Sequence, residues 1–325
     1  MKNKNHKSTI ILILILGVIF AIFTNCNNIA GLRKKFKFVM VSWHNGSGRS
    51  NIAAYSENGI NWELTAMPSR SHWKSVCYGN KKFVAVSGYS IKAAFSADGI
   101  KWNQTTLPFA NWSGVCYGNG MFVAVAQGGD SGYSYRAAYS EDGIKWNQTT
   151  MPSNASWESL CYGNGKFVTI AYLSDKAAYS EDGIKWTGTR MPSDDKWTGV
   201  CYGNDKFVAI ACDNNKVAYS YDGIKWIETK LPNAKTWTDV CYGNGKFVAV
   251  AYWGNKTVHS TNGIKWTETK LPNEVNWSSV CYGNGKFVVI TGRTGEIEYS
   301  TDGIKWEKTT VPSIASWTGI CYGGY

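Results

Sequence analysis

The sequence lacks the features that mark several large classes of protein. Its 325 residues include only 7 prolines and show no Gly-X-Y period, which excludes a collagen-like chain. Beyond residue 25 no apolar run is long enough to cross a bilayer as a helix, and no helical period appears. No Cys-x-x-Cys spacing occurs either, so we expect neither a metal site nor any other cofactor.

The chain is instead rich in aromatic residues and positive charge. It contains 16 Trp and 19 Tyr, and 44% of its residues are hydrophobic, which excludes a disordered chain. The formal net charge is +11, but many of the lysines recur at regular intervals. Such even spacing predicts a solvated rim, whereas nucleic-acid binding needs a concentrated patch, so we expect no nucleic-acid partner.

The N-terminus has the pattern of an export signal. Three lysines precede an apolar run over residues 9–23, which is short for a membrane span and typical of a signal peptide. The run ends in Phe-Thr-Asn-Cys at Cys26, which resembles the lipobox of bacterial lipoproteins, although Asn25 stands where that family has Gly, Ala or Ser. The resemblance implies a signal peptide over residues 1–25, lipidation of Cys26, a tether over 26–35, and export to the cell membrane or outer membrane. The alternatives are an uncleaved anchor helix or a plain signal peptide.

Seven copies of one unit fill the rest of the chain. A Cys-Tyr-Gly triplet, a Gly-Ile-x-Trp block and a Phe-Val-Ala-Val-like block each occur seven times. The triplet cysteines are 39 to 45 residues apart. They stand at positions 77, 116, 161, 201, 241, 281 and 321. A repeat of about 40 residues is typical of propeller blades or solenoid units.

Each copy has the chemistry of four short strands. Runs such as Phe-Val-Ala-Val and Ala-Ala-Tyr-Ser combine β-branched or aromatic residues and are bounded by Gly, Asn and Asp. Between the third and fourth strands stands Asp-Gly or Asn-Gly, as in Asp142-Gly143, which predicts a two-residue type I′ hairpin. Asn-Gly also recurs between the first and second strands, as in Asn164-Gly165. Four strands per copy favour a β-propeller.

The two ends of the repeat region complement each other. The folded part begins with a second strand at residues 37–39 and ends with a first strand at residues 317–322. Pairing these pieces would complete one blade and leave no open sheet edge. We therefore predict an all-β fold over residues 36–325, namely a seven-bladed β-propeller closed by pairing the C-terminal strand with the N-terminal strands.

Ser140-Glu141-Asp142-Gly143-Ile144-Lys145-Trp146 and its six siblings resemble the Asp-box, or BNR repeat, of sialidase-type propellers. The turn here is one residue shorter than in that motif and lacks its Thr. The resemblance implies an architecture and transfers no activity, because Asp-box propellers include hydrolases, lectin-like binders and assembly factors. The Ser and Asp of each box are predicted to hold the turn by short-range hydrogen bonds.

Most of the unusual residues belong to the scaffold. Fourteen of the 16 Trp occupy two repeat positions and are interpreted as packing between blades. Seven of the nine Cys stand once per copy on the innermost strand, where buried thiols are favoured over disulfides. Cys212 is an extra cysteine without an evident partner.

The informative residues are those that depart from the repeat. Strand alternation places the tight turns on one face of the disc, which we call the tight-turn face. The loop after each second strand and the proline-containing connection lie on the other, which we call the variable face because its sequence differs among copies. Both non-repeat Trp and most non-repeat Tyr fall there. Candidate ligand-binding residues are Trp43, His44, Arg49, Arg70, His72, Tyr89, Asp130, Tyr133, Tyr172, Asp213, Tyr252, Trp253 and Arg293.

Two classes of function are open for this face. Exposed aromatics suit stacking on sugars or anchoring a protein, so we expect a non-catalytic, envelope-anchored binding propeller that holds a glycan or an envelope protein. Arg49, Arg70 and Arg293 fall on consecutive blades and could grip a carboxylate of an acidic sugar or peptide. The alternative is a sialidase-like glycoside hydrolase acting on acidic sugars. No Arg-Ile-Pro motif or evident acidic pair supports that chemistry.

The lipoprotein resemblance predicts the chemistry of the mature N-terminus. We expect mass spectrometry of the exported chain to find Cys26 as the first residue, with acyl chains attached. The Cys26→Ser variant should be released from the membrane fraction, while Cys212→Ser should not. A mature chain with a free, unacylated Cys26 would rule out the anchor.

Overall fold

The computed structural model describes residues 36–46, 48–128 and 134–324. The predicted signal peptide over 1–25, Cys26 and the tether over 26–35 lie outside the described residues, as do Asp130 and Tyr133. Every regular element in the described ranges is a β-strand, so the all-β prediction is confirmed. Within those ranges no helix has the length and apolar character to cross a membrane.

The strands of the first part of the chain form one continuous sheet of 13 strands. Three long strands hold it together, because each is the outer strand of one repeat and the inner strand of the next. In β3, residues 63–66 pair with β2 and residues 72–79 pair with β4. The sheet comprises β1 (Phe36–His44), β2 (Ser50–Ser56), β3 (Glu63–Gly79), β4 (Lys82–Gly88), β5 (Ser90–Ser96), β6 (Asn103–Gly118), β7 (Met121–Gln127), β8 (Ser134–Ser140), β9 (Asn147–Gly163), β10 (Lys166–Tyr172), β11 (Ser174–Ser180), β12 (Thr187–Asp195) and β25 (Ser316–Gly324).

The remaining strands form three separate antiparallel sheets of four strands each. These are β13 (Trp197–Gly203), β14 (Lys206–Ala211), β15 (Asn214–Ser220) and β16 (Ile227–Lys235); then β17 (Trp237–Gly243), β18 (Lys246–Ala251), β19 (Lys256–Ser260) and β20 (Thr267–Lys270); then β21 (Trp277–Gly283), β22 (Lys286–Thr291), β23 (Glu296–Ser300) and β24 (Glu307–Thr310).

The ends of the described chain meet in one sheet. Strand β1 pairs antiparallel with β25, with Phe38 opposite Tyr322 and Met40 opposite Ile320. The innermost strands of successive repeats contact one another in order, and β25 contacts both β21 and β3. The molecule is therefore a closed β-propeller of about seven blades, and the predicted pairing of the terminal strands is confirmed.

Aromatic side chains fill the spaces between neighbouring repeats. The tryptophan that precedes each Cys-Tyr-Gly triplet is fully buried in all copies: Trp73, Trp112, Trp157, Trp197, Trp237, Trp277 and Trp317. The triplet tyrosine lies directly on the triplet glycine of the preceding repeat. A Cβ placed on Gly163 would lie 2.0 Å from Cγ of Tyr202, and the other triplet glycines are covered in the same way. Burial raises the pKa of the triplet thiols, which are free in every described copy.

The box residues hold the turn through their side chains, as predicted. In repeat 3, the Gly143 amide donates to Ser140 Oγ at 2.8 Å, and the Ile144 and Lys145 amides donate to Asp142 Oδ1 at 2.8 Å. The other copies have the same bonds, with Asn58 and Asn262 replacing Asp in two of them. The box therefore serves the scaffold.

The prediction of a type I′ turn within the box is wrong. That turn needs positive φ at both central residues, and only the glycine of each Asp-Gly or Asn-Gly pair has it, as at Gly143 with φ of 70°. The Ser and Asp side chains bind the backbone amides and open a longer loop, residues 141–146 in repeat 3. Two positive φ values occur instead between the first and second strands, for example 46° at Asn164 and 73° at Gly165.

The contact of the tyrosine ring with the triplet glycine predicts that one methyl group added at the glycine strongly destabilises the fold. We expect Gly163→Ala to lower the free energy of unfolding by about 1–3 kcal/mol or more, because the tyrosine ring cannot move without separating two repeats. Gly188→Ala is the matched control, since its Cβ would meet no atom closer than 3.6 Å. Urea unfolding of both variants measures the difference. Equal stability of the two variants would contradict this account of the packing.

Candidate functional site

The variable face is built by loops that follow the second strand of each repeat. Their described residues are 44–46, 48–49, 88–90, 127–128, 134, 172–174, 211–214, 251–255 and 291–295, and proline-containing connections such as 67–72 lie beside them. Tyr89, Leu173 and Asp213 have positive φ values of 49°, 52° and 61°. Non-glycine residues seldom have positive φ. Here the positive φ values allow the chain to reverse direction within a short turn. The side chains of Tyr89 and Leu173 are about half exposed, at 48% and 56%.

Trp43 is the centre of an aromatic cluster near the inner edge of this face. Its ring lies 4.4 Å from that of His72 and 6.5 Å from that of Tyr89, edge-on in both cases. Lys74 Nζ lies 5.6 Å above the same ring. A Cβ on Gly88 would come within 2.9 Å of the indole, so the glycine leaves room for it. Trp43 is consequently half-buried, while Trp253 remains 64% exposed.

Basic residues surround this cluster. His44 and Arg49 form an antiparallel bridge across their loop. Burial first, and then the charges of Arg49 and His44, lower the pKa of His72, so its imidazole is neutral at neutral pH. Arg293 joins Trp43 and His44 in lining a cavity of about 510 Å³. This neighbourhood can hold a carboxylate beside an apolar wall.

Arg70 does not join that cavity. Its side chain is exposed, and its carbonyl oxygen accepts a hydrogen bond from Lys92 Nζ at 2.9 Å. His44 thus pairs with Arg49 across their loop and shares a cavity with Arg293, whereas the Arg70 backbone lies beside Lys92 of repeat 2. Of the three predicted arginines, only Arg293 lines the cavity.

A polar ring surrounds the central channel just below the variable face. In five repeats a Ser or Thr hydroxyl donates to the carbonyl oxygen of the buried tryptophan in the next repeat, at 2.6–3.1 Å. The donors are Ser113, Thr198, Thr238, Ser278 and Thr318. They line a cavity of about 380 Å³ along the channel. Each bond joins two repeats while leaving a polar wall.

The other two repeats carry charged residues at the same position. Lys74 Nζ lies 4.0 Å from Glu158 Oε1, so the pair bridges repeats 2 and 4 past the intervening repeat 3. The Gln127 side-chain amide donates to the other oxygen of Glu158. Tyr252 lines the cavity from repeat 6. The channel mouth is therefore asymmetric, with an ion pair on one side and a tyrosine on the other.

The position two residues after each buried tryptophan follows the polar ring along the channel. In the described repeats, Asp239 is the only carboxylate at this position. Its oxygens accept hydrogen bonds from the Val240 amide at 2.8 Å, the Ser279 hydroxyl at 2.5 Å and the Val280 amide at 3.0 Å. Enclosure by protein nevertheless raises its pKa to about 6, because burial outweighs these three bonds. The corresponding Ser159 accepts the Val200 amide at 3.2 Å, so the position joins adjacent repeats.

A second polar cluster lies on the variable face at repeats 4 and 5. Lys196 Nζ lies 2.7 Å from Asp213 Oδ2, and the Thr236 hydroxyl donates to Oδ1 at 2.8 Å. These hydrogen bonds lower the pKa of Asp213, whereas burial raises the pKa of nearby Tyr172. Asp213 is thus already paired within the chain. It is therefore a weaker candidate for binding a ligand than the sequence suggests.

Sequence reasoning found the loops but missed the channel residues. Lys74, Glu158 and Asp239 stand inside repeat blocks, whereas the predicted candidates depart from the repeat. Aligning the copies column by column gives the missing signal, because charges replace Ser, Thr or Gly at these positions. Tyr252 and Trp253 pack edge-on at 5.7 Å, with Tyr252 facing the channel cavity.

The described residues do not form a tyrosine nucleophile of the sialidase type beside the arginines. Two Tyr–Glu pairs exist, Tyr55 with Glu63 and Tyr299 with Glu307, but each joins a third strand to its outer fourth strand. The hydrogen bond to Glu63 raises the pKa of Tyr55 to about 12, which is opposite to what a nucleophile needs. Within the described ranges no group of three His, Cys, Asp or Glu side chains could hold a metal ion.

Solved structures similar to this chain are β-propellers. The chain is similar to a streptogramin B lyase at 13% identity and a TM-score of 0.70, covering 89% of this chain and 92% of that one. It is also similar to virginiamycin B lyase from Staphylococcus aureus, at 15% identity and a TM-score of 0.66, covering 74% and 84%. A third similar structure is YCF48 bound to a D1 peptide, at 15% identity and a TM-score of 0.59, covering 79% of this chain and 93% of that one.

No family model and no curated protein matches the sequence. At these identities the similarity to solved structures shows the fold alone. The neighbours include a lyase and a peptide-bound protein, so one architecture carries both kinds of function. The function of this chain must be argued from its own site.

The raised pKa of Asp239 predicts a pH-dependent contribution to stability. The pKa of Asp239 is about 6 in the folded chain and 3.8 ordinarily, so the folded chain holds the proton more tightly. The stability that this proton contributes is fully present below about pH 4 and is lost as pH rises through 6. We expect the stability of the native chain, relative to Asp239→Asn, to fall by at most about 3 kcal/mol from pH 4 to pH 7. Ser159→Ala, at the same position of repeat 4, should show no such trend. Parallel urea titrations measure both, and identical pH profiles would contradict the assignment.

Proposed function

We propose that this protein is a non-catalytic binding propeller that holds a partner on its variable face, with a protein segment favoured over a glycan. The observation that carries this proposal is the distribution of exposed apolar side chains. Of the 12 large hydrophobic residues exposed in the described ranges, 7 lie toward the variable face. They are Tyr89, Ile91, Phe109, Tyr135, Leu173, Trp253 and Ile314. Concentrated aromatic exposure is typical of interaction surfaces.

The proposal includes a seven-bladed ring carrying Asp-box-like hairpins and an acylated Cys26. The blade count is supported by the inner strands β3, β6, β9, β13, β17, β21 and β25, which contact one another in a closed series. The Asp-box resemblance is supported by the Ser and Asp hydrogen bonds, which recur in each copy. The anchor rests on the Cys26 sequence pattern alone.

Binding is favoured over catalysis for two reasons. The most perturbed carboxylate of the channel, Asp239, is fully engaged with Ser279 and two backbone amides, so it has no free proton-transfer role. The ion pair of Lys74 and Glu158 likewise occupies the groups that could act as an acid or a base at the channel mouth. What remains available on the face is stacking area, arginine and the side chains of His44 and His72.

A sialidase-like hydrolase is the second candidate. It is supported by the cavity of about 510 Å³ where Arg293 and His44 meet Trp43, since a carboxylate and a sugar ring would fit such walls. It lacks a suitably activated tyrosine among the described residues. Turnover of a fluorogenic sialoside that disappears in Arg293→Ala would establish it and would overturn the binding proposal.

The binding proposal is tested by comparing the two faces. We expect Trp43→Ala or Tyr89→Ala to weaken capture of the partner from envelope extracts, or of a glycan on an array, by about tenfold or more. Tyr221→Ala is the matched control, because Tyr221 is 56% exposed in a box loop on the tight-turn face. If Tyr221→Ala alone lost capture, the partner would bind the tight-turn face and the proposal would be wrong.

A further inference from the structure

We propose that one sector of the variable face, at repeats 2 and 3, docks an acidic, aromatic segment of a partner protein. The proposal rests on the proposed function and specifies its partner. The sector is defined by four exposed apolar side chains, Tyr89, Ile91, Phe109 and Tyr135, and three cations, Arg70, Lys92 and Arg136. We call it the aromatic–basic patch.

The apolar members of the patch are contiguous. Strand β5 follows Tyr89 directly and pairs with β6 through Ser90 and Ala110, which brings Ile91 beside Phe109. The Arg136 guanidinium donates to the Phe109 carbonyl oxygen, so the start of β8, with Tyr135, lies against the same connection. The four side chains are 48–58% exposed. At its inner end the patch reaches Trp43, whose ring is 6.5 Å from Tyr89.

The cations of the patch have no carboxylate partner among the described residues. Lys92 and Arg136 donate to backbone carbonyl oxygens, those of Arg70 and Phe109 respectively. On repeats 4 to 6, by contrast, four cations are paired with carboxylates, although Lys176 donates to the Asn154 carbonyl oxygen. The ion pairs there are Arg190–Asp175, Lys196–Asp213, Lys216–Asp195 and Lys256–Glu268. Among the described residues, the patch therefore holds three cations without a carboxylate partner, whereas four carboxylates pair with cations in the other sector.

The chemistry of the patch favours acidic protein over other anions. Two of its three cations are arginines, whose planar guanidinium binds carboxylates with two parallel hydrogen bonds. Exposed Ile91 adds aliphatic area beside Phe109, which suits the apolar side chains of a protein better than a polyanionic sugar. An extended segment with alternating acidic and aromatic side chains could engage both features, since aromatic anchors and arginines dominate the energetics of most interfaces.

The test uses a fluorescently labelled copolymer of glutamate and tyrosine, titrated with the full chain. We expect saturable binding that weakens as salt is added, because exposed ion pairs are screened. Phe109→Ala and Arg136→Ala should each weaken it by about tenfold. Polyglutamate without tyrosine should bind more weakly than the copolymer. Tyr135→Ala provides a second aromatic variant, and melting temperatures check that every variant is folded.

Matched controls come from the other sector of the same face. Trp253→Ala removes an aromatic residue that is 64% exposed, and Arg190→Ala removes an arginine that is already paired with Asp175. Both should bind the copolymer like the native chain. If these two variants weaken binding and the patch variants do not, the patch assignment fails while the variable face keeps its role. If no variant on either sector matters, the proposed function fails with it.

Two further probes distinguish other anionic partners. Hyaluronan that binds in place of the copolymer, with the same dependence on Arg136, would overturn the proposal in favour of an acidic glycan. Vesicles containing phosphatidylglycerol that bind through Phe109 and Arg136, while the copolymer does not, would overturn it in favour of a lipid surface. Binding of the copolymer alone supports the proposal.

Discussion

A tyrosine ring that lies on the glycine of the preceding repeat is the contact on which the rest of the molecule depends. It recurs around the whole circle, and Tyr78 on Gly323 closes the circle at the seam. Any side chain at these glycines would overlap the ring, so the contact fixes how closely two repeats approach. The buried tryptophans and the channel hydroxyls then align the repeats at the same spacing. The packing between repeats therefore requires uniformity, and variation is found in the loops of one face and at a few channel positions such as Lys74, Glu158 and Asp239.

The fold could be predicted from the sequence because its determinants are periodic. The Cys-Tyr-Gly triplet and the two tryptophan positions recur once per copy, and the incomplete units at the two ends indicated the pairing of β1 with β25. The error over turn type has a local cause. An Asp-Gly pair favours a two-residue hairpin, but Ser140 and Asp142 accept three amide hydrogen bonds and impose a longer loop. Side-chain bonding outweighed the backbone preference of the dipeptide.

The site could be predicted only as a surface. The loops that bear Trp43, Tyr89 and Trp253 are irregular in sequence, so the variable face was identifiable. Contacts between residues far apart in the chain were not. Arg70 proved to neighbour Lys92 and not the cavity of Arg293, because the bulged connection carries it toward repeat 2. The pair of Lys74 and Glu158 joins repeats that are not consecutive, which no reading of one loop at a time could reveal.

The pairing of β1 with β25 has a consequence for how the molecule is made. The strand at residues 36–44 meets its inner neighbour only at residues 316–324, so nearly the whole chain separates the two halves of one sheet. During synthesis each interior repeat can assemble as its four strands emerge, yet the first strand must wait with an unsatisfied edge until the last has arrived. Closure is then a single late step with a large loop-entropy cost. Synthesis that stops before residue 316 would leave an open, edge-exposed arc, which a cell must either finish quickly or degrade.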